Sequence, residues 1–387
     1  MLNPYTPGAG TRPRSLAGRQ SQFALIESLA EQVEAGRPGN PLVVTGLRGV
    51  GKTSLLFEAA EVLRRRGWLA GYYEVRRDVG PGEAVRAIVA GSAGLTGGGL
   101  RRALSTGAHA LGGLTLTAGP AGFGFEVVGR DQGRPPGDPY DDVVAFLRSL
   151  ASAARREGVG VALLVDELQV FRKRDVSVLV QALSALSGEP VVLIGAGLPY
   201  LASELSKANT YAERFRYEQI DTLDDVDARE AVVAPAFEQG VVWDDDALDL
   251  VLDLAEGYPY FVQLYASETW VAAAGAVRLT VGHVRSAVPA VRRQLDAGLY
   301  AARYDRLSER EREYVDTMVL VADEDSPGAP TVGSGAVAAR LGKTLPQLAT
   351  TRDRVIRKGI VHAPAHGELA FSVPGFADHV RRRTGRA

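Results

Sequence analysis

The sequence predicts a protein of the α/β class, in which a parallel sheet carries helices on both faces and helical regions follow it. Short apolar runs at residues 41–45, 159–165 and 190–194 are typical of strands that are buried on both sides. Segments with apolar residues at helical spacing separate these runs. After about residue 222 the apolar runs of strand type give way to helices.

The first part of the chain begins with residues 1–18, which are rich in Pro, Gly, Arg and Thr and predict an extended arm. Spacing of apolar residues assigns the segments after it. These are a helix at 20–36, strands at 41–45 and 69–75, helices at 54–63 and 80–100, a hairpin at about 106–130, a helix at 141–157, a strand at 159–166, a helix at 174–187, a strand at 190–197, a helix at 199–209 and a strand at 217–220.

The second part of the chain is predicted to contain two smaller domains. Helices at 224–239, 244–256, 259–274 and 281–297 form an all-helical lid. Three helices and then two short strands around Gly367 indicate a winged helix–turn–helix layout at the C-terminus. The predicted domains are an arm and helix at 1–40, the α/β core at 41–222, the helical lid at 223–300 and the winged helix at 301–387.

Composition excludes several classes of site. The 387 residues include no cysteine, which rules out disulfides, thiolate metal sites and cysteine nucleophiles. A net charge of −2 gives no global attraction to nucleic acid, so any such contact must be local. Because the sequence has no apolar run of about eighteen residues and no signal-peptide pattern at its start, we expect a cytoplasmic protein without a membrane contact.

The most informative motif is the glycine-rich stretch Gly46–Thr53, which fits G-x-x-x-x-G-K-[ST] and lies between a predicted strand and a predicted helix. Its glycines let successive backbone N–H groups point at one phosphate, and the helix start adds positive charge. Lys52 is expected to reach the β- and γ-phosphates of ATP, and Thr53 to bind Mg²⁺. The predicted nucleotide contacts of this segment are Gly46, Arg48, Gly49, Val50, Gly51, Lys52, Thr53 and Ser54.

A second motif ends the apolar run at 159–165 with Asp166 and Glu167. The strand is expected to be parallel and buried, so its carboxyl end should face the phosphate loop. Asp166 is then expected to hold the Mg²⁺ shell, and Glu167 to polarise the attacking water.

These motifs resemble the AAA+/STAND group of P-loop ATPases, and they are similar to bacterial and archaeal ATPases related to origin-recognition proteins. The resemblance covers nearly the whole chain. Its landmarks are the loop at 46–53, the strand end at 165–169, the segments 194–199, 211–215 and 257–259, and the C-terminal winged helix.

The resemblance implies that ATP and Mg²⁺ bind between the α/β core and the helical lid, with Pro259 of the lid among the contacts. It implies that Arg19 lies near the adenine; a surface arginine at a helix start is the alternative. It also implies that Arg214 reaches the γ-phosphate of a neighbouring subunit in a homo-oligomer. The alternative for Arg214 is an arginine at a helix end, where cations are favoured.

Two departures from the family pattern indicate slow hydrolysis. The strand at 193–197 has no polar side chain to place beside the attacking water. The predicted lid helix offers Tyr260, Phe261 and Gln263 where many relatives have an arginine. We therefore expect a nucleotide-dependent switch that hydrolyses ATP slowly.

The partner is left open among three alternatives. Arg352, Arg354, Arg357 and Lys358 lie on or near the third helix of the predicted winged helix, where they suit the phosphates of DNA. A protein-binding winged helix with a solvated arginine face is the second alternative. A signalling or defence ATPase that oligomerises on activation is the third.

Overall fold

The computed structural model describes residues 2–8, 16–77, 79–92, 114–119, 122–127, 138–325 and 329–385. The chain divides into two compact units. One comprises residues 18–46 and 51–221, and the other comprises residues 1–17, 47–50 and 222–387. We call them the α/β unit and the helical unit. The predicted hairpin at 106–130 is described only at 114–119 and 122–127, where two antiparallel strands pair.

The α/β unit alternates strands and helices along the chain. In chain order it contains α1 (Gln20–Glu34), β1 (Leu42–Thr45), α2 (Lys52–Arg65), β2 (Leu69–Glu74), α3 (Pro81–Ser92), β3 (Leu114–Gly119), β4 (Gly122–Val127), α4 (Pro139–Glu157), β5 (Val161–Asp166), α5 (Lys173–Ala185), β6 (Val191–Gly197), α6 (Leu201–Ala208) and β7 (Arg216–Gln219). Short 3₁₀ turns at Leu168–Val170 and Thr210–Arg214 precede α5 and β7.

Five of these strands form one parallel sheet in the order β2-β5-β6-β1-β7. Side chains on a strand alternate between the two faces. Val161, Leu163 and Val165 join a buried cluster with residues of α4 and α5, while Ala162 and Leu164, equally buried, point to the opposite face. The sheet is therefore covered on both sides, and the predicted α/β fold class is confirmed.

The helical unit begins with the four helices of the predicted lid and continues into the C-terminal part. In chain order it contains α7 (Asp225–Phe237), β8 (Val242–Trp243), α8 (Asp245–Ala255), α9 (Pro259–Ala272), β9 (Arg278–Leu279), α10 (Val281–Gln294), a π turn (Leu295–Tyr300), α11 (Ala301–Asp305), α12 (Glu309–Asp325), β10 (Val332–Gly333), α13 (Ser334–Arg340), α14 (Leu345–Arg357), β11 (Val361–His362), β12 (Glu368–Phe371) and α15 (Phe376–Arg383).

The predicted all-helical lid differs from the structure in one respect, because β8 and β9 pair as a short parallel ladder. Each strand has only two residues, which is too short for apolar alternation to show in the sequence. None of the helices within the described ranges is both long and apolar enough to cross a membrane.

The N-terminal arm is anchored within the helical unit by Tyr5, whose side chain is buried. The Tyr5 hydroxyl donates to the carbonyl oxygen of Val232 at 2.6 Å and accepts from Trp243 Nε1 at 2.9 Å. Its ring meets Trp270 edge-on at 6.1 Å between centroids. Tyr5 therefore packs into this unit, which the Pro- and Gly-rich composition of the segment does not reveal.

In the C-terminal part, α12, α13 and α14 are accompanied by an antiparallel sheet in the order β10-β12-β11. The basic residues at 381–383 lie in α15, and each of them forms an ion pair within this unit. Their partners are Asp323 and Asp378 for Arg381, Asp296 for Arg382, and Asp305 for Arg383. These charges are therefore largely neutralised within the unit.

Candidate nucleotide site

The Gly46–Thr53 loop links β1 to α2, as its sequence predicts. Gly49 and Gly51 adopt φ values of +87° and +95°, which are left-handed conformations that favour glycine. The first turn of α2 contains no acidic residue, so the positive end of the helix dipole is not offset there. The N–H of Gly46 donates to the carbonyl oxygen of Gly197 at 3.2 Å and ties the start of the loop to β6.

Lys52 is buried at the start of α2, with a relative exposure of 6%. Its ammonium donates to the carbonyl oxygen of Gly46 at 2.9 Å, so the side chain folds back along the loop. A buried ammonium is costly unless anions or dipoles compensate it. The negative charge of a polyphosphate would compensate this lysine. The left-handed glycine loop and the helix start beside it would bind the same anion.

The two predicted motifs meet at Thr53 and Asp166. The Thr53 hydroxyl donates to Asp166 Oδ2 at 2.6 Å. Asp166 is the last residue of β5 and is 2% exposed. Although β6 lies between β1 and β5 in the sheet, parallel strands end at the same edge, and this brings the hydroxyl and the carboxylate together. A hydroxyl beside a carboxylate is a donor set that suits Mg²⁺.

Tyr72 on β2 is a member of this cluster that the sequence analysis did not identify. Its hydroxyl donates to the same Asp166 Oδ2, at 3.2 Å, and its ring packs against Phe57 of α2 at 4.3 Å between centroids, with the ring planes inclined by 39°. Burial raises the pKa of the Tyr72 hydroxyl, and the negative charge of Asp166 raises it further. The phenol therefore stays protonated and acts as a donor to the carboxylate.

Glu167 follows Asp166 in a left-handed conformation with φ of +54°, which is uncommon for a residue other than glycine. Its N–H donates to Asp166 Oδ1 at 2.8 Å. Its carboxylate oxygen Oε2 accepts a short hydrogen bond from Gln169 Nε2. The sequence predicts Glu167 as a site residue. Gln169, two residues further along the chain, ends the landmark at 165–169 but is given no role there.

The tip of the loop, Leu47–Val50, belongs to the helical unit together with Tyr258. The buried Tyr258 hydroxyl donates to the carbonyl oxygen of Arg48. A Cβ added at Gly49 would lie 2.4 Å from the Tyr258 hydroxyl oxygen, so a glycine is required at 49 by space as well as by its φ. Tyr258 therefore fixes the shape of the loop tip.

Arg303 of α11 contacts the side chain of Tyr258. Burial lowers the pKa of the Arg303 guanidinium; the neighbouring Tyr258 opposes this shift and the positive charge of Arg48 adds to it. Arg303 Nη1 is buried and has no hydrogen-bond partner among the described residues. No motif marks this residue, because it lies between the last predicted lid helix, which ends at 297, and the first helix of the predicted winged-helix domain.

The remaining predicted residues lie in varied settings. Arg19 is buried, and its guanidinium donates to the carbonyl oxygens of Asp221 at 2.8 Å and Gly18 at 2.9 Å.

Arg214 is exposed at the end of its 3₁₀ turn and lies 5.6 Å over the ring of Tyr211. Pro259 is the first residue of α9 and is half-buried. Val50 is buried and Ser54 half-buried in and after the loop.

Comparison with protein families gives two matches. Residues 15–194 match the family described as AAA ATPase domain. Residues 297–380 match a family described as a domain of unknown function, DUF8462. No curated protein matches the chain.

Among solved structures, the Walker-type ATPase of Pyrococcus abyssi is similar over 96% of this chain and 97% of its own, with 15% identity and a TM-score of 0.64. The RuvB Holliday junction branch migration motor of Thermotoga maritima follows with 17% identity, coverage of 98% and 99%, and a TM-score of 0.48. The ORC1 protein of Aeropyrum pernix in complex with DNA has 16% identity, coverage of 96% and 94%, and a TM-score of 0.44. The first likeness supports the fold, and the other two support no inference.

Proposed function

We propose that the chain binds ATP with Mg²⁺ at the Gly46–Thr53 loop. The match of residues 15–194 to the AAA ATPase domain family supports this proposal. We further propose that the chain hydrolyses ATP slowly, as a conformational switch. The observation that carries the proposal is the 2.6 Å hydrogen bond between Thr53 Oγ1 and Asp166 Oδ2. It joins two motifs that lie more than a hundred residues apart in the sequence, and it does so at the edge of the sheet where ligands of such folds bind.

The proposal gives each residue of the loop a role. Backbone N–H groups of the left-handed glycine loop bind phosphate oxygens, and the Lys52 ammonium neutralises their charge. Thr53 and Asp166 are the residues that would hold Mg²⁺, which when bound supplies charge neutralisation at the β- and γ-phosphates. Tyr72 orients Asp166 from the neighbouring strand.

Glu167 is the proposed general base. Its carboxylate lies one residue beyond Asp166, is half-exposed, and could accept a hydrogen bond from an attacking water. Slow turnover is supported by β6, whose residues Leu193 to Gly197 carry no polar side chain. Fewer polar groups would then stabilise the transition state of hydrolysis than in a fast ATPase.

Steady-state ATP hydrolysis tests the role of Glu167. Glu167→Gln keeps the size of the side chain and removes its charge, and we expect kcat to fall about 100-fold or more with little change in KM. Glu157→Gln, an exposed position at the end of α4, is the control and should match the wild type. Hydrolysis by Glu167→Gln at the wild-type rate would remove Glu167 from the mechanism.

Arg214 is proposed to act on the nucleotide of a second copy of the chain. The residue is exposed and lies two positions before β7, which is at the edge of the sheet. If this role holds, ATPase activity per molecule rises with protein concentration, and Arg214→Ala abolishes that rise. A concentration-dependent activity that is unchanged in Arg214→Ala would assign the effect to another residue.

DNA binding through α14 is the second candidate function, and the exposed side chain of Arg354 favours it. Arg357 pairs with Asp353 at 2.8 Å, but both side chains are about half exposed, and such pairs exchange readily for phosphate. Lys358 is different, because it pairs at 2.6 Å with Glu311, which is buried. The candidate surface is therefore reduced to Arg352, Arg354 and Arg357.

Retention of duplex DNA at low salt with ATP present tests this candidate. Replacing Arg352, Arg354 and Arg357 together by alanine should abolish retention. The control replaces three exposed arginines elsewhere in the same unit, Arg285, Arg293 and Arg310, and should retain DNA. Equal retention by both triple variants would exclude α14, and no retention by the wild type would favour a protein partner.

A further inference from the structure

We propose that Gln169 is a positioning residue that holds the Glu167 carboxylate for attack by water. The inference rests on the proposed function, because it assigns the geometry of the same base to a residue that the sequence analysis gives no role. It also accounts for the missing polar residue on β6, since the polar group beside Glu167 comes instead from the 3₁₀ turn after β5.

Gln169 connects Glu167 to the end of β6 by two hydrogen bonds. Its Nε2 donates to Glu167 Oε2, and its Oε1 accepts from the N–H of Leu198 at 3.3 Å. Only one orientation of the carboxamide satisfies both partners, because a carboxylate accepts and a backbone N–H donates. The side chain is therefore held at both ends.

Space for this bridge is provided by the glycines of β6. A Cβ at Gly197 would lie 2.4 Å from Gln169 Oε1, and a Cβ at Gly195 would lie 2.2 Å from Leu168 Cδ1. Larger residues at these two positions would displace the turn that carries Gln169. The strand therefore lacks side chains at the very positions where the turn after β5 packs against it.

The bridge also reaches the phosphate loop. The carbonyl oxygen of Gly197 accepts from the N–H of Gly46, the first residue of the loop, at 3.2 Å. Gln169 thus fixes the Glu167 carboxylate to the same strand end that anchors the loop. A base that is fixed relative to the phosphates needs no rearrangement before it accepts a proton from water, and such preorganisation raises kcat.

Gln169→Met tests the inference, because methionine has a similar length but cannot donate to the carboxylate. We expect kcat for ATP hydrolysis to fall about 10- to 100-fold while KM stays within about twofold. Gln169→Asn keeps the amide but is too short to span both partners, and it should lose a similar factor. Gln181→Met, at an exposed position on α5, is the control and should hydrolyse ATP like the wild type.

A double variant separates positioning from a general loss of structure. Because Gln169 is proposed to act through Glu167, Gln169→Met should cause no further loss of kcat in a Glu167→Gln background. Additive losses in the double variant, or wild-type kcat in both Gln169 variants, would overturn the inference while leaving the proposed function in place. Absence of hydrolysis by the wild type would instead overturn the proposed function, and the inference with it.

Discussion

The hydroxyl of Tyr258 donates a hydrogen bond to the carbonyl oxygen of Arg48, at the tip of the glycine-rich loop. Tyr258 is 1% exposed, and burial raises the pKa of its hydroxyl, which therefore remains a donor. The same ring occupies the space that a side chain at Gly49 would need. The loop tip is thus shaped by a residue two hundred positions further along the chain.

The first prediction concerns this contact. Tyr258→Phe removes the hydroxyl that donates to the Arg48 carbonyl, and loss of this hydrogen bond should cost about 1–2 kcal/mol and loosen the loop. We expect the affinity for ATP with Mg²⁺, measured by calorimetry, to fall about 5- to 30-fold. Tyr260→Phe, two residues along and half-buried, is the control. Equal affinities for the two variants would show that the contact does not shape the binding site.

The second prediction concerns Tyr72. Tyr72→Phe removes one of the two hydroxyl donors to Asp166 Oδ2, and loss of such an orienting partner typically weakens a metal site about 10-fold or more. We expect the Mg²⁺ concentration for half-maximal ATPase activity to rise by that factor. The neighbouring substitution Tyr73→Phe should leave it unchanged. A Mg²⁺ requirement that is identical in Tyr72→Phe and the wild type would contradict the role.

The third prediction concerns the glycines of β6. Gly195→Ala places a methyl group 2.2 Å from Leu168 Cδ1, so the buried Leu168 side chain must shift to make room. We expect a loss of about 1–3 kcal/mol in the free energy of unfolding, measured with denaturant. Gly80→Ala is the comparison, because nothing lies within 4 Å of the added Cβ. If both variants were equally stable, β6 would not depend on its glycines for packing.

The fourth prediction concerns pH. Burial raises the pKa of Glu311, but hydrogen bonds from Lys358 and Ser308 outweigh this, and the pKa lies below its ordinary value. Because the folded-state pKa is lowered, the pair stabilises the protein above the unfolded-state pKa of about 4.3, and this contribution disappears as the pH falls through the folded-state pKa.

Lys358→Met should therefore cost about 1–2 kcal/mol of unfolding free energy at pH 7 and progressively less in acid. Lys343→Met breaks the exposed pair with Glu313 and should cost less than about 0.5 kcal/mol at any pH. Thermal or denaturant unfolding of both variants across pH checks this. A loss for Lys358→Met that does not change with pH would assign it to packing.

The α/β core could be predicted because its information is local. The loop at 46–53 and the strand end at Asp166 each show their chemistry in consecutive residues, and the rule that parallel strands end at one edge brings them together. The contact between Thr53 and Asp166 follows from that rule. The hydrogen bonds of Tyr72, Gln169 and Tyr258 do not follow from it, because they depend on tertiary packing.

Long-range pairing also explains what the sequence did not reveal elsewhere. Tyr5 lies in an arm of low-complexity appearance, yet its partners Val232 and Trp243 are more than two hundred residues away. The arginines at 381–383 are a basic run in the sequence, but each pairs with an aspartate that is remote in sequence or one turn away. The charge that a segment presents to a ligand therefore depends on its ion pairs, which the sequence alone does not show.

The central claim is that Lys52 and the loop around it bind ATP. Calorimetric titration with ATP and Mg²⁺ of the wild type, Lys52→Ala and the exposed-surface control Lys207→Ala tests it most directly. We predict saturable binding by the wild type and by Lys207→Ala, and a loss of about 100-fold or more in affinity for Lys52→Ala. Equal affinities for all three proteins, or no binding by the wild type, would contradict the account.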